Sequence, residues 1–280
     1  MKNKKIIICV AVKNESKNLK NFFKILDRFI LKFDDYFVIF VESDSKDETN
    51  TILNNYLKGK KGKIINLNID RSFNRIKSLE ICRNEYLKYI NENNILQNFD
   101  YMFVMDADGV NNKISYNKIL NSLNTEIDWS AIFANQSLLY YDIYALRIHN
   151  LITENFVTKI INDDVSKKFD NLKKNFSENL LRFFFITKNT NERYVKVNSA
   201  FGGFAIYKIN RIIKIKYDSE NGLNCEHVKF NKNLNEKYGG LMIDKQLINS
   251  NGINKHTIAG ILASKINYFS KRFFSNLKKV

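Results

Sequence analysis

Proline is absent from this 280-residue chain, cysteine and histidine occur three times each, and the longest apolar runs are short. None approaches the roughly 18 consecutive apolar residues of a membrane span. The opening Met1–Val10 (MKNKKIIICV) is too short for the apolar core of a signal peptide. Cys9, Cys82 and Cys225 stand far apart, which excludes a disulfide framework and zinc-ligand spacing and suits a reducing cytosol. Glycine is sparse after the first apolar run, where Lys13, Asn14 and Glu15 leave no phosphate-cradling loop. That argues against a sugar nucleotidylyltransferase. Acidic residues stop at Asp244, and the whole chain carries a net charge of +16. Such a charge raises nucleic-acid or membrane binding as readings. Abundant lysine, asparagine, isoleucine, phenylalanine and tyrosine without proline, however, is the signature of AT-rich coding, which explains the charge more simply. No helix-turn-helix, RNP or zinc-finger pattern is visible, so no nucleic-acid partner is expected.

What is present is the composition of a soluble globular chain, 44% hydrophobic and 26% charged, long enough for a sizeable core. One stretch organises the rest. The apolar run Tyr101–Met105 ends abruptly in Asp106, Ala107, Asp108 and Gly109. A buried parallel strand reads this way when it delivers acidic side chains to the edge of a sheet where ligands bind. Two carboxylates at i and i+2 can approach one hard divalent cation, Mg²⁺ or Mn²⁺, and that cation can neutralise a diphosphate.

Before that stretch, strand and helix alternate. Lys5–Val12 is a β-branched strand, with Asn14 or Ser16 available to cap a helix bearing Leu19, Phe22, Phe23, Leu26 and Ile30. Tyr36–Val41 is a second strand, a helix with Leu53 and Tyr56 follows, and Lys63–Leu67 is a third strand. Asn74–Ile90 is a longer helix. The alternation predicts a sheet built by crossover connections, its polar loops converging on one edge. After Gly109 come a helix with Ile114, Ile119 and Leu123, then a strand at Trp129–Asn135. Residues 151–191 read as a helical insertion. A strand interrupted by Gly202 and Gly203 follows, where a ligand could approach the backbone. A helix with Val228, Phe230 and Leu234 comes next, then a final strand at Gly240–Asp244. Ile261–Val280 reads as a basic amphipathic helix that either lies on an anionic membrane surface or packs on the domain. Among aromatic and acidic residues near the middle of the chain, Asp142 stands out, because apolar neighbours would make an unpaired carboxylate costly there; Arg147 is an available partner.

In this order the motifs resemble a GT-A glycosyltransferase of the family-2 type. Asn14 and Glu15 match its Asn-Glu, and Val41 through Thr49 (VESDSKDET) its Val-Asp-Asp-Gly-Ser-x-Asp-Gly-Thr. Cys82, Arg83 and Asn84 match Ala-Arg-Asn, and Asp106, Ala107 and Asp108 match Asp-x-Asp. Phe201–Phe204 resembles the glycine loop near the donor sugar; Cys225, Glu226 and His227 fall at x-Glu-Asp, and His256 at a carboxy-terminal metal histidine. The resemblance covers roughly residues 5–260.

It implies a mixed, mostly parallel α/β (Rossmann-like) sheet flanked by helices in one domain, 1–260. Residues 1–110 would form the nucleotide half and 111–260 the acceptor half. It further implies transfer of a hexose from a nucleotide-diphosphate sugar, UDP- or GDP-linked, to a hydroxyl of a glycan or glycolipid acceptor in bacterial surface polysaccharide, lipopolysaccharide or glycoprotein synthesis; the expected location is the cytoplasm, with peripheral contact on the cytoplasmic face of the inner membrane through 261–280. Val12, Asn14, Glu15, Glu42, Asp44, Arg83, Asp106, Ala107, Gly202 and Gly203 would bind the donor. Asp106, Asp108 and His256 would hold Mn²⁺ or Mg²⁺. Glu226, His227 and Asp142 are the catalytic candidates. The usual base of the family is the aspartate of x-Glu-Asp, and here His227 stands in that place, so the identity of the base and inversion against retention stay open.

Overall fold

The computed structural model describes residues 4–93, 95–138, 140, 142–153 and 191–252. His256, the 261–280 helix and nearly all of the 151–191 insertion lie outside these residues. The elements are β1 (Lys5–Val12), α1 (Ser16–Ile30), β2 (Asp35–Ser43), α2 (Thr49–Leu57), β3 (Gly62–Leu67), α3 (Arg75–Glu92), β4 (Tyr101–Met105), α4 (Tyr116–Leu123), β5 (Ala131–Gln136), β6 (Tyr194–Lys196), β7 (Phe204–Lys208), α5 (Glu226–Tyr238) and β8 (Leu241–Ser250).

The strands form a single eight-stranded sheet in the order β3-β2-β1-β4-β7-β5-β8-β6. Strands β1 to β4 are mutually parallel, β7 runs antiparallel between β4 and β5, and β8 is parallel to β5. Two antiparallel steps restore direction, so the carboxyl ends of β1, β2, β4 and β5 share one edge. The sheet is mixed and mostly parallel.

Central strands are apolar throughout because helices cover both faces. Alternate residues divide accordingly. Ile7, Cys9, Met102 and Val104 pack with Tyr86 and Ile90 of α3 and Phe230 and Leu234 of α5. Ile6, Ile8, Phe103 and Met105 pack with Leu19, Phe22 and Leu26 of α1 and Ile119 of α4. Burying each large aliphatic or aromatic side chain contributes about 1.5–3 kcal/mol.

Several boundaries differ from the sequence reading. Neither Asn14 nor Ser16 caps α1; the cap residue is Glu15, without a side-chain cap bond of its own. The second loop supplies the acceptors instead, as the Ser16 amide donates to Asp47 Oδ2 (3.1 Å) and the Glu15 amide to Thr49 Oγ1 (2.8 Å). Gly202 and Gly203 (φ 67° and 80°) turn the chain before β7 rather than interrupting it. Ile114 precedes α4, and β8 continues past the buried Asp244 to Ser250. Arg193 donates twice to Asp244 (2.9 and 2.6 Å), and Ser122 once (2.7 Å).

Candidate active site

A cleft of about 420 Å³ opens where β1 and β4 end beside the first turns of α3. Of the residues expected at the donor, Val12, Asn14, Glu15, Asp106 and Ala107 line it, together with Asp108, expected at the metal. Its volume lies in the range of small-molecule sites.

The Asp106 loop is held by backbone and buried amides. The Asp106 amide donates to the Gly203 carbonyl (3.0 Å), and Asn111 Nδ2 donates to the carbonyls of both Asp106 (2.8 Å) and Gly203 (2.9 Å). Asn249 Nδ2 donates to Asn111 Oδ1 (2.9 Å) and to the Gly202 carbonyl (2.7 Å), which also accepts from Gln136 Nε2 (3.0 Å). All three amide side chains are buried. A Cβ on Gly202 would stand 2.7 Å from the Ala134 carbonyl, and one on Gly203 would overlap the Val110 side chain. These glycines therefore permit a close approach of the chain to itself.

The expected nucleoside contacts fall into two groups. Asn14 and Glu15 face the cleft, whereas Glu42 and Asp44 flank its wall residue Ser43 and lock loops together. Glu42 accepts from the Ser45 amide (2.7 Å) and, weakly, from Asn50 Nδ2 (3.4 Å); Asp44, at φ 52°, accepts from the Ile69 amide (2.8 Å). Asn14, at φ 55°, accepts from the Lys46 amide (2.8 Å) through its side chain. Burial pushes the Glu15 carboxyl up, opposed by the bond from Asn18 and reinforced by the charge of Asp108.

Arg83, expected near the base or diphosphate, is buried in the protein, its guanidinium beside the cleft residue Asp106. Its Nε donates to Glu226 Oε1 (2.9 Å), its Nη2 reaches Asp106 Oδ1 (3.5 Å), and its guanidinium lies over Phe201 (5.0 Å to the ring centre). It thus joins the end of β4 to the start of α5. Glu226 is buried in that pair. His227 is also buried, its ring stacked on Phe201 at 4.0 Å, with neither ring nitrogen hydrogen-bonded. Burial, and then the charge of Arg83, hold its pKa well below the usual histidine range, so it is neutral.

Two aspartates are shifted the other way. Burial first, and then the charge of Asp108, push Asp106 up to about 8 against the pull of Arg83. Burial raises Asp142 to about 6, although its Oδ1 accepts from the Ala145 amide (3.2 Å). Asp142 is only half-buried, and Arg147 donates to the carbonyls of Tyr144 and Leu146. Among the described residues no three His, Cys, Asp or Glu side chains converge on a metal position. Asp106 and Asp108 nonetheless suit a hard divalent cation, being two oxygen donors whose mutual repulsion a cation would relieve.

Sequence reasoning missed Phe73, Arg75 and Ser78, which also line the cleft. The available signal was a lone phenylalanine and a cation in the polar segment leading into α3. It also missed the amides Asn111, Gln136 and Asn249. Among the described residues, no helix is long and apolar enough to cross a membrane.

The first 349 residues of TarS from S. aureus superpose with a TM-score of 0.50 at 12% identity, covering 85% of this chain and 57% of that one. The mannosyltransferase PcManGT from Pyrobaculum calidifontis, solved with GDP-Man and Mn²⁺, gives 0.48 at 12% identity, covering 89% and 57%. The M. tuberculosis glucosyl-3-phosphoglycerate synthase gives 0.43 at 9% identity, covering 88% and 72%. The chain thus spans little more than half the length of the first two. None of the curated proteins matches its sequence. The Glycosyl transferase family 2 model, in contrast, matches residues 7–210, from the third residue of β1 to beyond β7. Strand order, the acidic end of β4 and that match over well more than half of the sequence agree: the chain belongs to glycosyl transferase family 2.

Proposed function

We propose that the protein is a metal-dependent hexosyltransferase. It would use a nucleoside-diphosphate sugar and a glycan or glycolipid hydroxyl in the assembly of a bacterial surface polysaccharide, lipopolysaccharide or glycoprotein. The observation that carries this reading is the Asp106–Asp108 pair at the end of β4, opening on the cleft of a family-2 chain. Asp106 and Asp108 would hold Mn²⁺ or Mg²⁺, with His256 as a further proposed ligand. When bound, the cation supplies positive charge for the diphosphate as it leaves.

The chain's own groups do the rest. Glu226 holds Arg83, and Arg83 orients Asp106, so both are positioning residues. His227, neutral and stacked, supports the same corner. Asp142 is the remaining carboxylate, half-buried and raised to about 6, a value suited to a general base near neutral pH. It takes the proton of the acceptor hydroxyl. The hydroxyl oxygen bonds to the anomeric carbon, and the bond from that carbon to the diphosphate breaks with its electron pair leaving on the diphosphate. This step inverts the anomeric configuration.

The test is nucleotide release from a panel of UDP-, GDP- and CMP-sugars, with Mn²⁺ or with chelator. Release from one donor, dependent on metal, is expected. The Asp106→Asn/Asp108→Asn double variant should fold and lose that turnover; full activity in it would sink the proposal. Contact of residues 261–280 with an anionic membrane belongs to the same reading. Removing them should abolish binding to anionic vesicles while a soluble acceptor is still used.

A further inference from the structure

We infer that the buried amides Gln136, Asn249 and Asn111 form a one-way ladder that positions Asp106 and Asp108 for a divalent cation. The inference rests on the metal reading above and names positioning residues for it. Gln136 Nε2 donates to Asn249 Oδ1 (2.8 Å), Asn249 Nδ2 to Asn111 Oδ1 (2.9 Å), and Asn111 Nδ2 to the Asp106 carbonyl (2.8 Å). The second bond of each amide nitrogen ends on the glycine turn. Gln136 and Asn249 meet the Gly202 carbonyl (3.0 and 2.7 Å), and Asn111 meets that of Gly203 (2.9 Å). Both hydrogens of every amide nitrogen are therefore engaged. Turning any one of the three over would set acceptor against acceptor, so each amide is oriented by its neighbours.

Asn249 reaches this place through a bulge. Where β5 and β8 pair, Asn135 faces Ile248 and Gln136 faces Ser250, which leaves Asn249 as one extra residue in its strand. Such bulges are rare between parallel strands, and they re-aim a side chain. The ladder ends on the loop that carries both carboxylates. The Asp106 amide donates to the Gly203 carbonyl (3.0 Å) while the Asp106 carbonyl accepts from Asn111, so the peptide planes on either side of its Cα are both held. The Asn111 bond spans five residues and closes 106–111 into an arch. Within the arch the Val110 amide donates to Asp108 Oδ1 (3.2 Å). Two carboxylates this close in the chain repel one another, and the arch opposes their separation. By contrast, the contact of Arg83 Nη2 with the Asp106 side chain is long, at 3.5 Å. A satisfied amide network stabilises any interior. One that ends on the backbone of a metal carboxylate also fixes the ligand, as outer-shell bonds do in metal sites.

The experiment is titration of the full chain with Mn²⁺ alone, the free ion read by its electron paramagnetic resonance signal, beside chemical denaturation of each variant. Asn111→Ala should weaken Mn²⁺ binding by about 10–100-fold. Asn249→Ala, whose lost donor bonds end on Asn111 and Gly202, should weaken it in the same direction by releasing Asn111. The double variant should lose no more than Asn111→Ala alone, because the two act along one path. Ser122→Ala removes a bond to Asp244 on the same strand; it should lower stability and leave Mn²⁺ affinity unchanged. If either asparagine variant does not fold, Gln136→Leu at the far end of the ladder carries the same test, with a loss of several-fold expected. Unchanged Mn²⁺ affinity in the folded variants, additive losses in the double, or an equal loss in Ser122→Ala would overturn the inference and leave the metal reading intact. If the unaltered chain binds no Mn²⁺, the metal reading falls and this inference falls with it.

Discussion

Replacing Asp106 with asparagine should stabilise the metal-free protein at neutral pH and remove its response to Mn²⁺. Burial and the neighbouring Asp108 push Asp106 from the ordinary 3.8 to about 8. Below pH 4 the carboxyl is protonated whether the chain is folded or unfolded, and it has no effect on stability. Between about pH 4 and 8 the unfolded chain releases the proton while the folded chain keeps it. Each pH unit in that window therefore favours unfolding by about 1.4 kcal/mol. From pH 5 to 7 the ideal penalty is about 2.7 kcal/mol. A quarter of this side chain reaches water (24%), so we take about 1–2.5 kcal/mol. At roughly 2–4 °C per kcal/mol for a chain of this size, the variant should gain roughly 2–10 °C over the native protein across that interval. Thermal unfolding in chelator at a series of pH values reads this difference, since groups distant from Asp106 titrate alike in both proteins. Mn²⁺ binds the ionised form, so it should raise the native midpoint, increasingly so as pH rises toward 8, and leave the variant unmoved. A difference between the two proteins that is flat with pH, or an equal Mn²⁺ shift in both, would refute the reasoning.

Other outcomes follow from the same corner. Arg83→Met leaves Glu226 buried without its counter-charge and should cost about 3–5 kcal/mol in chemical denaturation. Adding Glu226→Gln should recover part of that loss, since the stranded charge is gone. Asp142→Asn should lower kcat by about 100-fold or more. In the native enzyme kcat/KM should rise as pH climbs through about 6, where Asp142 loses its proton, and the variant should lack that limb. A normal limb in the variant would assign the base elsewhere.

The limits of β3 and β4 were close to legible because each apolar run is bounded by polar residues. The acidic end of β4 was legible for the same reason. What the sequence hid are partnerships between distant residues. The true cap acceptors of α1, Asp47 and Thr49, lie 31 and 34 residues after the amides they cap. The pairing of Arg83 with Glu226 was hidden because the two are 143 residues apart and neither charge advertises the other. Strand β8 seemed to end at Asp244 because a carboxylate suggests solvent; Arg193 and Ser122 satisfy it in the interior. Phe73 went unnoticed because one phenylalanine among 22 carries no signal until its exposure is known.

The antiparallel strand β7, wedged between β4 and β5, has a consequence for how the protein is made. Residues Met102–Met105 are fully buried, yet one side of β4 has no partner until Phe204–Lys208 arrives about a hundred residues later. At ribosomal rates of about 5–20 residues per second, that edge is open for roughly 5–20 s. During that interval the nascent chain presents an apolar, unpaired strand, the kind of template on which other chains aggregate. Overproduction at low temperature or with a holdase chaperone should therefore raise the soluble yield more than any change to the finished fold.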